Sequence, residues 1–253
     1  MARAQKYSDP LPSGRVFLTG DTHGVFARIA RFCQKRKTNT EDTLILLGDA
    51  GINYYGGERE LELKRSVSAL PITLFCIHGN HERRPSADTG YELREYHGGQ
   101  VWVQPEFPNL LFAVDGEIYD FLGHECLAIG GAYSVDKWMR IFSELEWWPD
   151  EQPSEEIKDK VERVLEDRGW QVDVVLSHTC PKHYIPEDAF LPGFDWDSMD
   201  ESTEIWLDAI EQRLDYTRWY CGHYHVERSV DKLRFMYEDY DFLPQALELA
   251  KEA

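Results

Sequence analysis

Positive charge is scarce in this sequence beside negative charge. Its 253 residues carry 27 Lys+Arg against 46 Asp+Glu, a formal net charge of −19. A chain of that sign suits neither long nucleic-acid duplexes nor anionic bilayers, because clustered Lys and Arg are what hold a polyanion. Cysteine is also sparse: Cys33, Cys76, Cys126, Cys180 and Cys221 are odd in number and have no Cys-x-x-Cys spacing. That pattern reads as free thiols, mostly small core residues, in a reducing cytoplasm. No stretch approaches the ~18 consecutive apolar residues of a membrane helix. The longest apolar runs, such as Leu44 to Leu47, suit buried strands, and the opening Met-Ala-Arg-Ala-Gln-Lys-Tyr-Ser lacks an apolar signal core. Internal repeats, linkers and low-complexity tracts are missing as well, so one globular domain over 1–253 is expected.

Hydrophobic residues at 42% and aromatics at 13% supply a packed core despite the acidity. Arg15 to Thr19 runs into Gly20-Asp-Thr-His-Gly24, a helix pattern follows at 25–37, and Thr43 to Leu47 runs into Gly48-Asp-Ala-Gly51. A second helix pattern at 58–69 precedes Ile72 to Cys76, which meets His78-Gly-Asn-His-Glu82. Strands that end in polar glycine loops with helices between them predict a parallel sheet whose ligands gather at the carboxyl ends. From Val101 to Ala132, close-set strands and turn signals predict an antiparallel or mixed second sheet. Further on come an aromatic, charged loop over 133–152, a helix over 155–168 capped by Ser154, and a strand from Val172 to Leu176 ending in Ser177-His178. An acidic surface loop over 187–202, a helix over 203–214 and the strand Arg218 to Cys221 follow, the last ending in Gly222-His-Tyr-His225.

Five strand ends thus carry Asp21 and His23, Asp49, Asn80 and His81, His178, and His223 and His225. All of these are oxygen or imidazole donors. Carboxylates at the ends of apolar strands are costly unless a cation or hydrogen bonds compensate them. Mixed His, Asp and Asn donors without thiolates favour Mn²⁺, Fe, Zn²⁺ or Co²⁺ over Ca²⁺. Asp49 could share its two oxygens between two ions. Taken singly, a Gly-Asp is more often a turn, and a strand-end His more often structural, than a ligand.

Taken together, in this order and spacing, the five motifs resemble the calcineurin-like metallophosphoesterase superfamily over about residues 16–226. The resemblance implies a four-layer α/β/β/α sandwich with mixed sheets and two divalent ions, Mn²⁺ first, with Fe, Zn²⁺, Co²⁺ or Ni²⁺ as alternatives. Asp21, His23, Asp49 and His225 match the ligands of the first ion, and Asp49, Asn80, His178 and His223 those of the second. His81 matches a histidine that contacts the phosphate and can protonate the leaving oxygen without being a ligand. The implied reaction is hydrolysis of a small phosphomonoester or phosphodiester, a nucleotide among them, by metal-activated water, with Asp49, Asn80 and His81 closest to the chemistry.

Gly48-Asp-Ala-Gly-Ile-Asn-Tyr-Tyr55 lacks the Gly-Asp-x-x-Asp-Arg-Gly element of phosphoprotein phosphatases, which disfavours a Ser/Thr protein phosphatase. Gly130 to Arg140 resembles a segment of bacterial and phage members. Within it Lys137 and Arg140 are candidate phosphate contacts in a chain short of cations, and Arg83 and Arg84, beside His81, are further ones. His78, His97, His124 and His183 lack ligand-like partners and read as structural or surface residues. Two alternatives stand beside the hydrolase: a nuclease or phosphodiesterase on short oligonucleotides, and a non-catalytic scaffold on the same fold.

Overall fold

The chain, described over residues 14–243 and residue 247 in a computed structural model, opens with β1 (Val16–Thr19), α1 (Ala27–Arg36), β2 (Thr43–Leu46), α2 (Gly57–Ser68) and β3 (Thr73–Cys76). The three strands are buried along their whole length and pair in parallel, β1 with β2 and β2 with β3. Continuous apolar strands of this kind need both faces of the sheet covered. A buried ion pair ties the entries of the first two: Arg15 Nη2 lies 2.6 Å from Asp42 Oδ2, and Arg15 Nε donates to Asp42 Oδ1 at 3.0 Å. Burial alone would raise the Asp42 carboxyl, but the hydrogen bonds from Arg15 and from the Asn39 backbone hold it below its ordinary value.

The stretch read as a single second sheet is divided between two. β4 (Glu92–Tyr96), β5 (Gly99–Val103) and β6 (Leu110–Ala113) extend the first sheet, with β6 parallel to β3 and then β5 and β4 antiparallel. Only β7 (Ile118–Phe121) and β8 (His124–Ile129) open the second. Strands of four or five residues show alternation or burial in their sequence, but not which sheet edge they join. The chain continues through α3 (Lys137–Phe142), α4 (Glu155–Asp167), β9 (Val174–Ser177), α5 (Ser202–Glu211), β10 (Arg218–Cys221), β11 (Arg228–Val230), β12 (Leu233–Phe235) and β13 (Asp241–Phe242). α4 begins as expected, Ser154 Oγ accepting from Ile157 N at 3.4 Å. α3 is a short helix inside the expected loop 133–152, and the acidic stretch 187–202 carries two one-turn 3₁₀ segments, Glu187–Ala189 and Trp196–Ser198.

The first sheet runs β13-β1-β2-β3-β6-β5-β4 and the second β11-β12-β10-β9-β8-β7. Both are mixed. One apolar cluster joins their inner faces, with Leu18, Ile45, Phe75 and Leu111 against Tyr119, Ala128, Leu176 and Tyr220. A second packs Ile29 and Phe32 of α1 and Val67 of α2 onto the outer face of the first sheet. A third packs Val161 and Leu165 of α4 and Leu207 and Ile210 of α5 onto the outer face of the second. The layers are therefore α/β/β/α, with the carboxyl ends of β1, β2, β3, β9 and β10 meeting along one edge.

Candidate metal centre

Each donor sits one to five residues beyond a buried strand. Asp21 and His23 follow β1, and their loop is held by Arg28, which donates to Gly20 O and Asp21 O, both at 2.8 Å. Asp49 follows β2, Asn80 and His81 follow β3, His178 follows β9, and His223 and His225 follow β10. Two glycines let the donor loops approach this closely. A Cβ at Gly48, whose φ is +96°, would come 1.9 Å from His178 Nδ1, and one at Gly79 would come 2.0 Å from Asp49 Oδ1. His23, Asp49, His223 and His225 all hold positive φ, at 46°, 45°, 65° and 53°. That conformation is strained for residues with a side chain and concentrates at functional sites.

The donor atoms converge in two overlapping groups. His23 Nε2 and His225 Nε2 stand 3.0 Å apart. Asp21 Oδ2 is 3.2 Å from the second and 3.8 Å from the first, and among the described residues it is buried without a hydrogen-bond partner. Ligands about 2.1 Å from a shared ion in tetrahedral array lie about 3.4 Å apart, so these three atoms fit a common cation. On the other side, His178 Nδ1 is 2.8 Å from Leu47 O, which fixes the proton there and leaves Nε2 with a lone pair. That Nε2 lies 2.8 Å from Asn80 Oδ1 and 3.6 Å from Asp49 Oδ1. Asp49 faces both ways, because its Oδ2 is 3.9 Å from His23 Nδ1 and 3.7 Å from His81 Nδ1. His223 closes the second group, its ring centroid 4.9 Å from that of His178 and its backbone N–H donating to Asp21 Oδ1 at 3.1 Å. Three overlapping clusters, Asp21 with His23 and His225, His23 with Asp49 and His81, and Asp21 with Asp49 and His178, could hold divalent cations.

The charges are arranged accordingly. Burial alone would raise the Asp49 carboxyl, yet the imidazoles of His178, His81 and His23 hold it below its ordinary value. Asp21 is likewise held below its ordinary value, burial being outweighed by the close His225 imidazole and by His178 and His23. Burial lowers His23 and pushes His223 well down, so both favour the neutral imidazole a metal requires. Beneath the site, Glu82 accepts from Ala50 N at 3.3 Å and Gly79 N at 3.4 Å, bracing the loops after β2 and β3. Burial and the nearby Asp49 charge push its pKa to about 8.

A cavity of about 220 Å³ opens over these donors, lined by His23, Gly51, Tyr54, Tyr55, His81 and Arg140. Arg140 Nη2 donates to His81 Nδ1 at 3.1 Å, Arg140 Nη1 donates to Tyr54 Oη at 3.2 Å, and Arg140 Nε donates to Asp136 Oδ2 at 2.8 Å. Burial works against charge on His81, but Asp136 and Asp49 raise its pKa above the ordinary value.

The seven residues matched as ligands, and His81, are thus brought together. Of the four cations expected at the substrate, only Arg140 lines the cleft. Lys137 instead stands over the Trp147 ring, 4.3 Å from its centroid, and Arg83 Nη2 pairs with Glu60 Oε2 at 3.1 Å beside a different cavity. Tyr54, Asp136 and Ser134, which accepts from Asn80 Nδ2 at 2.8 Å, went unnoticed in the sequence. The i,i+4 spacing of Asp136 and Arg140 was the one local sign of their pairing.

The family model described as calcineurin-like phosphoesterase matches residues 14–227. A curated protein named ornithine carbamoyltransferase, from Neisseria lactamica, is 28% identical over 184 residues, covering 71% of this chain and 64% of that relative's length. Among solved structures, the protein TT1561 of Thermus thermophilus is 11% identical with a TM-score of 0.47, covering 89% of each chain. The phosphopantetheinyl hydrolase PptH of Mycobacterium tuberculosis is 17% identical with a TM-score of 0.40, again covering 89% of each. A further solved structure, 11% identical over 92% of this chain and 96% of its own, reaches a TM-score of 0.52 and shares the fold.

Proposed function

The chain belongs to the calcineurin-like phosphoesterase family, and on that premise we propose that it is a dinuclear metal-dependent hydrolase of small phosphomonoesters or phosphodiesters. One observation carries the reading: His23 Nε2 and His225 Nε2 face each other at 3.0 Å beside a partnerless, buried Asp21 Oδ2. Three such atoms want a cation between them. Asp21, His23, Asp49 and His225 would hold one ion, and Asp49, Asn80, His178 and His223 the other. When bound, divalent ions supply charge neutralisation for phosphoryl oxygens and acidify water to a nucleophile, with Mn²⁺ our first choice. The carbamoyl transfer in the name of the Neisseria lactamica protein belongs to that protein, since facing carboxylates and imidazoles suit hydrolysis.

The chain's own groups then have distinct tasks. Asn80, its amide steadied by Ser134, and Arg140 bind phosphoryl oxygens, with Arg140 moving off His81 Nδ1 to do so. His81, charged and steadied at Nε2 by Asp136, gives its Nδ1 proton to the leaving oxygen. Tyr54 and Tyr55 bring aromatic rings to the cleft wall, which favours nucleotides among the substrates. The cleft of about 220 Å³ suits a small ester more than a long polymer.

The deciding experiment is turnover of phosphomonoesters, cyclic nucleotides, dinucleotides and short oligonucleotides by chelator-treated protein reloaded with Mn²⁺, Fe²⁺, Zn²⁺, Co²⁺ or Ni²⁺. Metal-restored hydrolysis of a small ester is expected. Failure on every substrate with every metal, or activity indifferent to chelation, would overturn the reading.

A further inference from the structure

Of the imidazoles at the metal centre, His225 is the one the fold leaves exposed, its side chain at 43%. A metal-binding imidazole is ordinarily aimed by a hydrogen bond at its other ring nitrogen. His178 has one, from Nδ1 to Leu47 O at 2.8 Å. His225 Nδ1 has no hydrogen-bond partner among the described residues, although its Nε2 must stay directed at the point it shares with Asp21 Oδ2 and His23 Nε2, 3.2 and 3.0 Å away.

A ring takes the place of that hydrogen bond. Tyr237 stacks on the His225 imidazole, with centroids 4.5 Å apart and planes 19° apart. At that separation and tilt the imidazole cannot swing about its Cβ–Cγ bond without breaking the stack. The tyrosine is itself held. It lies in 236–240, the segment that passes from β12 in the second sheet to β13 in the first. Glu227 Oε1 accepts from the backbone N–H groups of Tyr237, Glu238 and Asp239 at 3.0, 2.6 and 2.7 Å. On the other side, Gly20 N donates to Tyr237 O at 3.1 Å and Thr19 Oγ1 donates to Asp239 O at 2.7 Å. The segment therefore rests on the backbone that leads into Asp21. One tyrosine thus ties together Asp21 and His225, which reach the same point from different sheets.

We propose that Tyr237 is a positioning residue for the ion held by Asp21, His23, Asp49 and His225. By fixing the plane of the His225 ring it raises affinity at that position and leaves the other position alone. It stands beyond residue 227, where the family match ends, so the metal centre depends on sequence outside the matched segment. The inference rests on the dinuclear reading of the site, but its test needs no turnover.

Equilibrium dialysis of the full chain over a series of free Mn²⁺ concentrations, read by elemental analysis, gives the affinity of each ion. Tyr237→Leu should require ~3–10-fold more free Mn²⁺ for one of its two ions and the parent concentration for the other, as for loss of one aromatic stack. Tyr237→Phe, which keeps the ring, should match the parent within about twofold. In a His23→Ala background, which has lost the position shared with His225, Tyr237→Leu should make no further difference. Thermal melts verify that each variant is folded. Unchanged affinity in Tyr237→Leu, equal weakening of both ions, or equal losses in Tyr237→Phe and Tyr237→Leu overturns the proposal and leaves the hydrolase reading standing. Two ions bound with no turnover of any ester overturns the hydrolase reading and leaves this one, whereas a parent that takes up no ion removes both.

Discussion

Asp136 Oδ1 lies 3.4 Å from His81 Nε2, while Arg140 donates to both residues and closes a three-membered contact at the mouth of the metal centre. Asp136 is the carboxylate best placed to orient the imidazole and to keep it charged once Arg140 has left Nδ1. Asp136→Asn should therefore lower turnover of esters with poor leaving groups by about ten- to a hundredfold at neutral pH, with two-metal content unchanged. The pH profile gives the sign. His81 acts in its protonated form, present below its raised pKa, so removing the carboxylate lowers that pKa and moves the alkaline fall in activity to lower pH. An unmoved alkaline limb would argue against the role of Asp136. His81→Ala should likewise keep its metals and spare activated aryl phosphates, whose leaving oxygen hardly needs a proton.

Asp49 turns Oδ1 towards His178 and Oδ2 towards His23. Asp49→Asn should accordingly reduce occupancy of both metal positions, read by elemental analysis after Mn²⁺ loading. Loss of one ion alone would assign Asp49 to a single position.

Arg140 and Lys137, three residues apart, should part company. Arg140→Ala should lower kcat/KM by up to about a hundredfold with metals and fold intact, as for loss of one charge-assisted contact. Lys137→Ala should leave kcat/KM within about twofold and lower Tm slightly, since its ammonium stacks over Trp147 away from the cleft. Equal kinetic losses in the two variants would contradict this division.

Glu204, fully buried in α5, accepts from Thr179 Oγ1 at 2.7 Å, and burial pushes its pKa to about 7. The fold prefers the protonated acid. Its stability contribution is complete below the ordinary value of 4.5, declines as pH rises from there to about 7, and is flat above. Glu204→Gln keeps the acceptor without the charge, so it should melt higher than the parent at pH 8, by an amount on the order of 1–3 kcal/mol. The gap should shrink steadily toward pH 5. A constant gap across that range would exclude the carboxyl as its origin.

The grouping of the candidate donors was legible in the sequence because it is local. Asp21, His23, Asp49, Asn80, His178, His223 and His225 each follow an apolar strand, all but His178 with a glycine nearby, and the strand itself fixes where the donor stands. Fates decided by distant packing were hidden. The strands at 92–113 join the first sheet because Leu110 to Phe112 pairs with Leu74 to Cys76, a choice that short alternating runs do not encode. Lys137 and Arg140 carry the same charge on one short helix, but the fold of 143–152 brings Trp147 under the first and leaves the second to Asp136 and His81. Arg83, next but one to His81, is claimed by Glu60 from α2.

The left-handed backbone at His23, Asp49, His223 and His225 sets heat resistance against function. Glycine at any of these positions would relax the chain by roughly a kcal/mol or more and remove a donor in the same step. A laboratory search that selects only for thermal survival should therefore find its easiest gains where the site is built, and its toughest survivors should be the ones that no longer take up metal.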